Sequence, residues 1–98
     1  MPGAADMSFD VVSIDVSELE PPEPMECIFA ALRDIGDQQL LKVRHRREPF
    51  PIYPMLDRGG YQHCCVEVGS EDYLLYIWPL SAGVDETICR AAAAKETR

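Results

Sequence analysis

The sequence predicts an α+β fold: a two-layer α/β sandwich of order βαβαββ, with a four-stranded mixed sheet and two helices on one face. Three observations lead there. Short β-branched or alternating runs recur along the chain, amphipathic stretches separate the first three of them, and proline or glycine punctuates the junctions. At 98 residues the chain makes one domain. A chain of this size buries somewhat over ~60% of its unfolded surface, enough for one modest core.

Residues 1–8 read as a flexible terminus. Val11, Val12, Ile14 and Val16 mark a first strand from about Phe9 to Val16, with Val12, Ile14 and Val16 on one face. The proline-rich turn at 21–24 then opens a helix. Met25, Ile28, Phe29, Leu32 and Ile35 make its apolar stripe, and Gly36 stands where a C′ glycine would end it.

Gln39 to His45 alternates as a half-buried strand, Leu41 and Val43 on one side, Lys42 and Arg44 on the other. The loop Arg46-Arg47-Glu48-Pro49-Phe50-Pro51 feeds a short helix with Ile52, Met55 and Leu56 expected inward and Gly59-Gly60 as its stop. Tyr61 to Val68 and Tyr73 to Pro79 are two further strands, and Gly69-Ser70-Glu71-Asp72 has the composition of their hairpin turn. The domain proper thus covers residues 9–79, and residues 80–98 form a tail. Val84 and Ile88 lie one turn apart there, and Ala91–Ala94 favours helix.

The last strand is apolar on both sides, with Tyr73, Leu75 and Ile77 on one and Leu74, Tyr76 and Trp78 on the other. Two helices on one face leave the second set exposed. The tail, a second copy (a homodimer through the open sheet face) or a partner protein has to cover it; the tail or self-association is the expected cover.

Composition excludes some functions. Seventeen acidic residues against nine basic give a net charge of -8, which argues against nucleic acid. No stretch reaches the ~20 apolar residues of a membrane span, and Met1 to Asp6 has no signal-peptide pattern, so a cytoplasmic location is expected. Cys27, Cys64, Cys65 and Cys89 follow no disulfide framework spacing and read as reduced thiols, with Cys27 partly buried and Cys64 in the core. Cys65 is open to reaction if its sheet face is exposed.

Two motifs stand in order on this framework: Asp15, Leu19 and Pro21-Pro22-Glu23-Pro24, then His45-Arg46-Arg47-Glu48-Pro49-Phe50-Pro51-Ile52-Tyr53-Pro54. From about Val11 to Trp78 the chain resembles the bacterial domain-of-unknown-function family 2249, itself similar to the TusA-like (SirA-like) sulfur-carrier superfamily. The resemblance implies the same two-layer sandwich. In the sulfur carriers a Cys-Pro-x-Pro motif opens the first helix and its cysteine carries a persulfide. Here Pro21 takes that cysteine's place and Glu18 replaces the glycine usual before the leucine.

The chemistry at that mouth agrees. A persulfide thiolate there is held by free N–H groups and the helix dipole. Pro21, Pro22 and Pro24 supply no N–H, only Glu23 keeps one, and Glu23 and Glu26 place carboxylates where the anion would sit. Sulfur-carrier activity is therefore disfavoured, and any site is expected beyond that mouth.

The candidate site is the loop after the second strand. Arg46, Arg47 and Glu48 stand between strand and helix, where ligands often contact such sheets, and Tyr53 adds a hydroxyl. Arg47 and Glu48 read either as an ion-paired anchor for a small anionic ligand or partner carboxylate, or as a brace between sheet and helix. The run Lys42 to Arg47 reads as a solvated strand face. His45, His63 and Cys65 are the alternative metal ligands, although no paired short spacing supports them. No catalytic triad can be drawn from two histidines and no patterned serine.

The expected function is a non-catalytic binding or regulatory module without a cofactor, using the Arg46–Pro49 loop and the aromatic second face of the sheet. The resemblance implies a partner in bacterial redox or nitrogen-oxide metabolism, such as a hemerythrin-like or redox protein. A thiol relay through Cys27 or Cys65 and a small metal-binding protein are the alternatives.

Overall fold

A computed structural model describes residues 10–36, 38–82, 84 and 86–96. Residues 1–8, read above as a flexible terminus, and Phe9 of the expected first strand lie outside them. The elements follow the expected order: β1 (Asp10–Asp15), α1 (Glu23–Asp34), β2 (Gln39–His45), a 3-10 turn (Phe50–Ile52), α2 (Tyr53–Arg58), β3 (Tyr61–Gly69), β4 (Asp72–Pro79), a second 3-10 turn (Leu80–Ala82) and α3 (Glu86–Ala94). The sheet runs β1-β2-β4-β3, with β1 parallel to β2 and the other two pairings antiparallel. It is the mixed four-stranded sheet the sequence predicts.

Strand alternation sorts the core into two clusters. On one face Val16, Leu41, Val43, Leu75 and Ile77 pack with Ile28 and Leu32 of α1 and Ile52 and Leu56 near α2. Val12, Ile14, Met25, Phe29 and Ile35 adjoin this cluster. On the other face Leu40, Cys64, Val68, Leu74, Tyr76 and Trp78 pack with Cys89 and Ala93 of α3. The tail thus covers the face that α1 and α2 leave open, one of the two covers expected, and Tyr76 and Trp78 are both 2% exposed. α3 adds a partial third layer to the two-layer sandwich of residues 10–79.

Several local expectations change. Met55 is not an inward residue: Ile52 and Leu56, one turn apart, face the sheet, and Met55 is 37% exposed. Ile88 is 59% exposed, because α3 begins only at Glu86 and its buried stripe is Cys89 and Ala93. Lys42 and Arg44 are not merely solvated. Both pair with Glu96, just past α3, and Arg44 also lies 3.6 Å from Asp72. α1 stops because Ile35 turns to extended backbone, and Gly36 follows without a left-handed φ. Gly60, at φ 84, does supply the left-handed stop after α2.

Candidate functional site

β1 and β2 run parallel, so the loops that leave their carboxyl ends lie side by side. In an open α/β sheet this end is where a crevice forms. The first loop turns sharply: Oδ1 of Asp15 accepts from the Ser17 amide at 2.9 Å and from its hydroxyl at 2.6 Å. Those bonds hold the Asp15 carboxyl below the usual carboxylate range. The chain then reaches the Pro21–Pro22 step, a cis peptide, and enters α1. The second loop, Arg46 to Pro49, leads from β2 into the first 3-10 turn.

Between the loops lies a cleft of about 350 Å³. Its first wall is Leu19, Pro21, Pro22, Pro24, Met25 and Ile28. Its second is His45, Arg46, Arg47, Glu48, Pro49, Pro51 and Ile52. Arg46 joins the walls, its Nη2 lying 3.0 Å from Oε2 of Glu20. The sequence reading looked for a site beyond the helix mouth; in the structure the proline mouth forms one wall of the cleft that the Arg46–Ile52 loop completes.

That mouth is no anion site, however. The Glu23 N–H donates to the Glu20 carbonyl at 2.9 Å, so the donor that prolines leave in place is already used. Pro22 caps α1 without a side-chain hydrogen bond. The prolines contribute stiff apolar surface, not donors.

The loop residues play different parts from those expected. Arg47 and Glu48 do not form an ion pair. Glu48 accepts from the Tyr53 hydroxyl at 2.9 Å, while Arg47 has no ion-pair partner among the described residues and is exposed. Tyr53 does not line the cleft; its ring lies behind the loop, stacked on His63 at 4.1 Å and 9°. Its role is to hold Glu48. Arg46 and Arg47 also border an open depression with Glu67, Glu71 and Tyr73.

His45 sits at the base of the cleft, 8% exposed, with Nδ1 accepting from the Arg47 amide at 3.2 Å. Burial, then the neighbouring Arg47 and Arg46 charges, hold its pKa below the ordinary value. The ring is therefore neutral at pH 7. Periodicity alone named His45 only as a metal ligand; its place at the end of a parallel strand is the signal that finds it.

The metal alternative fails on register. His45 pairs with Tyr73 and His63 with Ile77, so they stand about 13 Å apart along the strand direction and two strand spacings across. No group of three His, Cys, Asp or Glu side chains could hold a metal among the described residues.

The thiols also differ from expectation. Cys27 is exposed, not partly buried, and it does not line the cleft. Cys65 faces the layer of α1 and α2 rather than an open face, and burial pushes its pKa up to about 11 despite a bond with Tyr53. Cys64 is 3% exposed, and its pKa is likewise raised by burial. None of the four cysteines is in a disulfide.

Residues 13–79, well over half of the chain, match the family described as "Uncharacterized conserved protein (DUF2249)". No curated protein and no solved structure matches it. No helix among the described residues is long and apolar enough to cross a membrane.

Proposed function

We propose, for a chain that belongs to the DUF2249 family of uncharacterised conserved proteins, that it is a non-catalytic binding module whose site is the cleft between the proline mouth and the Arg46–Ile52 loop. The observation that carries this reading is the union of an apolar cleft with an exposed guanidinium, Arg47, that no described carboxylate engages. Pockets of this kind, mostly apolar with a few convergent polar groups, are typical binding sites. A wider depression of about 510 Å³, where Asp57, Gln62, His63 and Glu86 stand beside Trp78 and Leu80, is the more polar of the two.

The superfamily likeness adds to the reading. The resemblance to the TusA-like superfamily, with Pro21 where the sulfur carriers have their cysteine, supports binding over sulfur transfer. A hemerythrin-like or redox partner in a bacterium is what the family resemblance suggests, and the cytoplasmic setting rests on the sequence pattern. The thiol-relay alternative is weaker, since Cys65 is held as a thiol and Cys27 lies outside the cleft.

The test is titration of the full chain with a hemerythrin-like or redox partner, comparing wild type with Arg47→Ala. A charged hydrogen bond lost at an interface weakens binding by roughly tenfold or more. The exposed Arg47 site predicts a nearly unchanged Tm. A large fall in Tm with binding intact assigns Arg47 the bracing role instead.

A further inference from the structure

The groups already spoken for define what the cleft can take. Oε2 of Glu48 is held by Tyr53, Arg46 by Glu20, and the Glu23 amide by the Glu20 carbonyl. Among the described residues, two side-chain donors at the cleft are wholly uncommitted. One is the Arg47 guanidinium. The other is Nε2 of His45: with Nδ1 accepting from the Arg47 amide, the neutral ring carries its proton on Nε2, and no described residue accepts it. The ring lines the cleft, so an occupant there can accept from that N–H. Both groups are donors and one is a cation; beside them Oε1 of Glu48 stays an acceptor, so an occupant's anionic end has to sit on the Arg47 and His45 side of the cleft.

The rest of the cleft narrows the class. Pro24, Met25, Ile28 and Ile52 offer hydrocarbon surface, so the body of an occupant must be apolar. About 350 Å³ is at the small end of ligand pockets, which favours a small guest. A phosphate dianion needs a nest of backbone donors, which the prolines remove. Glu23 and Glu26 near the mouth, and a net charge of -8, disfavour any multiply charged anion.

Resting on the reading of this cleft as the binding site, we infer that it takes a small monocarboxylate with a hydrocarbon tail. The carboxylate meets Arg47 and the Nε2–H of His45, and the tail lies against Pro24, Met25, Ile28 and Ile52. A charged carboxylate bonds a guanidinium more strongly than its amide counterpart does.

The test is an amide NMR titration of the full chain at pH 7 with pentanoate, pentanamide, acetate and inorganic phosphate. Pentanoate is expected to shift Met25, Ile28, Arg47 and Ile52 saturably in the millimolar range. Pentanamide and acetate, lacking charge and tail respectively, should bind at least about tenfold more weakly. Arg47→Ala should remove that advantage of pentanoate over pentanamide.

Equal binding of pentanamide, or tighter binding of phosphate, overturns the carboxylate class while the cleft stands as a site. A leucine-ended tetrapeptide with a free carboxylate that binds over tenfold tighter than pentanoate, and loses this on amidation, overturns the free-acid source in favour of a partner's C-terminus. No saturable shift at the cleft with any of these probes overturns the inference outright. The wider reading is then decided by the partner titration.

Discussion

The hydroxyl of Tyr53 donates to Oε2 of Glu48 at 2.9 Å, and this bond ties the first residue of α2 to the loop that forms one wall of the cleft. The Tyr53 ring is itself fixed, with Phe50 edge-on at 5.9 Å and His63 stacked face to face at 4.1 Å. Burial, then the nearby Cys65 and Glu48, raise the phenol well above its ordinary pKa, so it stays a donor across the physiological range. The loop owes its shape to Tyr53, and Arg47 is left free of Glu48.

Removing that donor should loosen the loop. Tyr53→Phe keeps the aromatic stack but leaves a half-buried carboxylate short of one charged hydrogen bond, at a cost of about 1–2 kcal/mol. Glu48→Gln keeps an acceptor and is expected to cost less. Urea denaturation of the two variants checks the order. An unchanged midpoint for Tyr53→Phe would show that the bond adds nothing to stability.

Much of this architecture was legible from periodicity. Gln39 to His45 reads as a strand because Leu41 and Val43 alternate with Lys42 and Arg44, and the structure gives those bounds. The buried stripe of α3 was not legible, because Val84 and Ile88, two of the larger apolar residues of the tail, lie one turn apart and point to a different stripe. Tyr76 and Trp78 fill the space over the sheet, and the helix residues seated against them are small, Cys89 and Ala93. Ile88 is left outside.

The candidate site was half legible. Arg47 was found from its place after a strand. The proline mouth was read only for the cysteine and donors it lacks, while its role as a wall depends on β1 and β2 being neighbours, a pairing no local pattern encodes. The Tyr53–Glu48 bond was hidden for a related reason. Residues five apart meet only because the chain passes from a 3-10 turn into α2 between them.

The thiols should separate cleanly by access. Iodoacetamide at pH 8 is expected to modify Cys27, the exposed thiol on α1, well before the other three. Cys64 and Cys65 are both pushed up in pKa by burial, and Cys89 is 1% exposed. Mass spectrometry over time should show one adduct in the folded protein and four in urea. Rapid labelling of Cys65 in the folded chain would reinstate the thiol relay.

α3 should act as the cover of the second face. Ala93 is fully buried against the sheet, so Ala93→Glu forces a carboxylate into apolar surroundings and should lift the helix. Trp78, 2% exposed with Nε1 donating to Gln62 at 3.1 Å, reports on this directly. Its emission should shift to the red, and the variant should self-associate through the uncovered Leu74, Tyr76 and Trp78. Unshifted emission would mean that α3 does not shield that face.

Acid should weaken the fold in two steps with different origins. His45 takes up its proton in the unfolded chain near the ordinary 6.5 but at lower pH when folded, its pKa depressed chiefly by burial. Below that pH the unfolded state binds more protons, so stability falls as pH drops toward the folded value. Glu96 follows at lower pH. Its pKa lies below the ordinary 4.5, held down first by the hydrogen bond from Lys42 and also by Arg44, so its contribution is present above that value and is lost as pH falls through the folded one. Salt tells the steps apart, because about 0.5 M NaCl screens the exposed Glu96 pairs but leaves the desolvation of His45 nearly intact. Denaturation midpoints from pH 8 to pH 4 should therefore show a salt-insensitive decline beginning near 6.5 and a salt-sensitive one below about 4.5. His45→Gln should flatten the first and spare the second. A first step that persists in His45→Gln would remove His45 as its source.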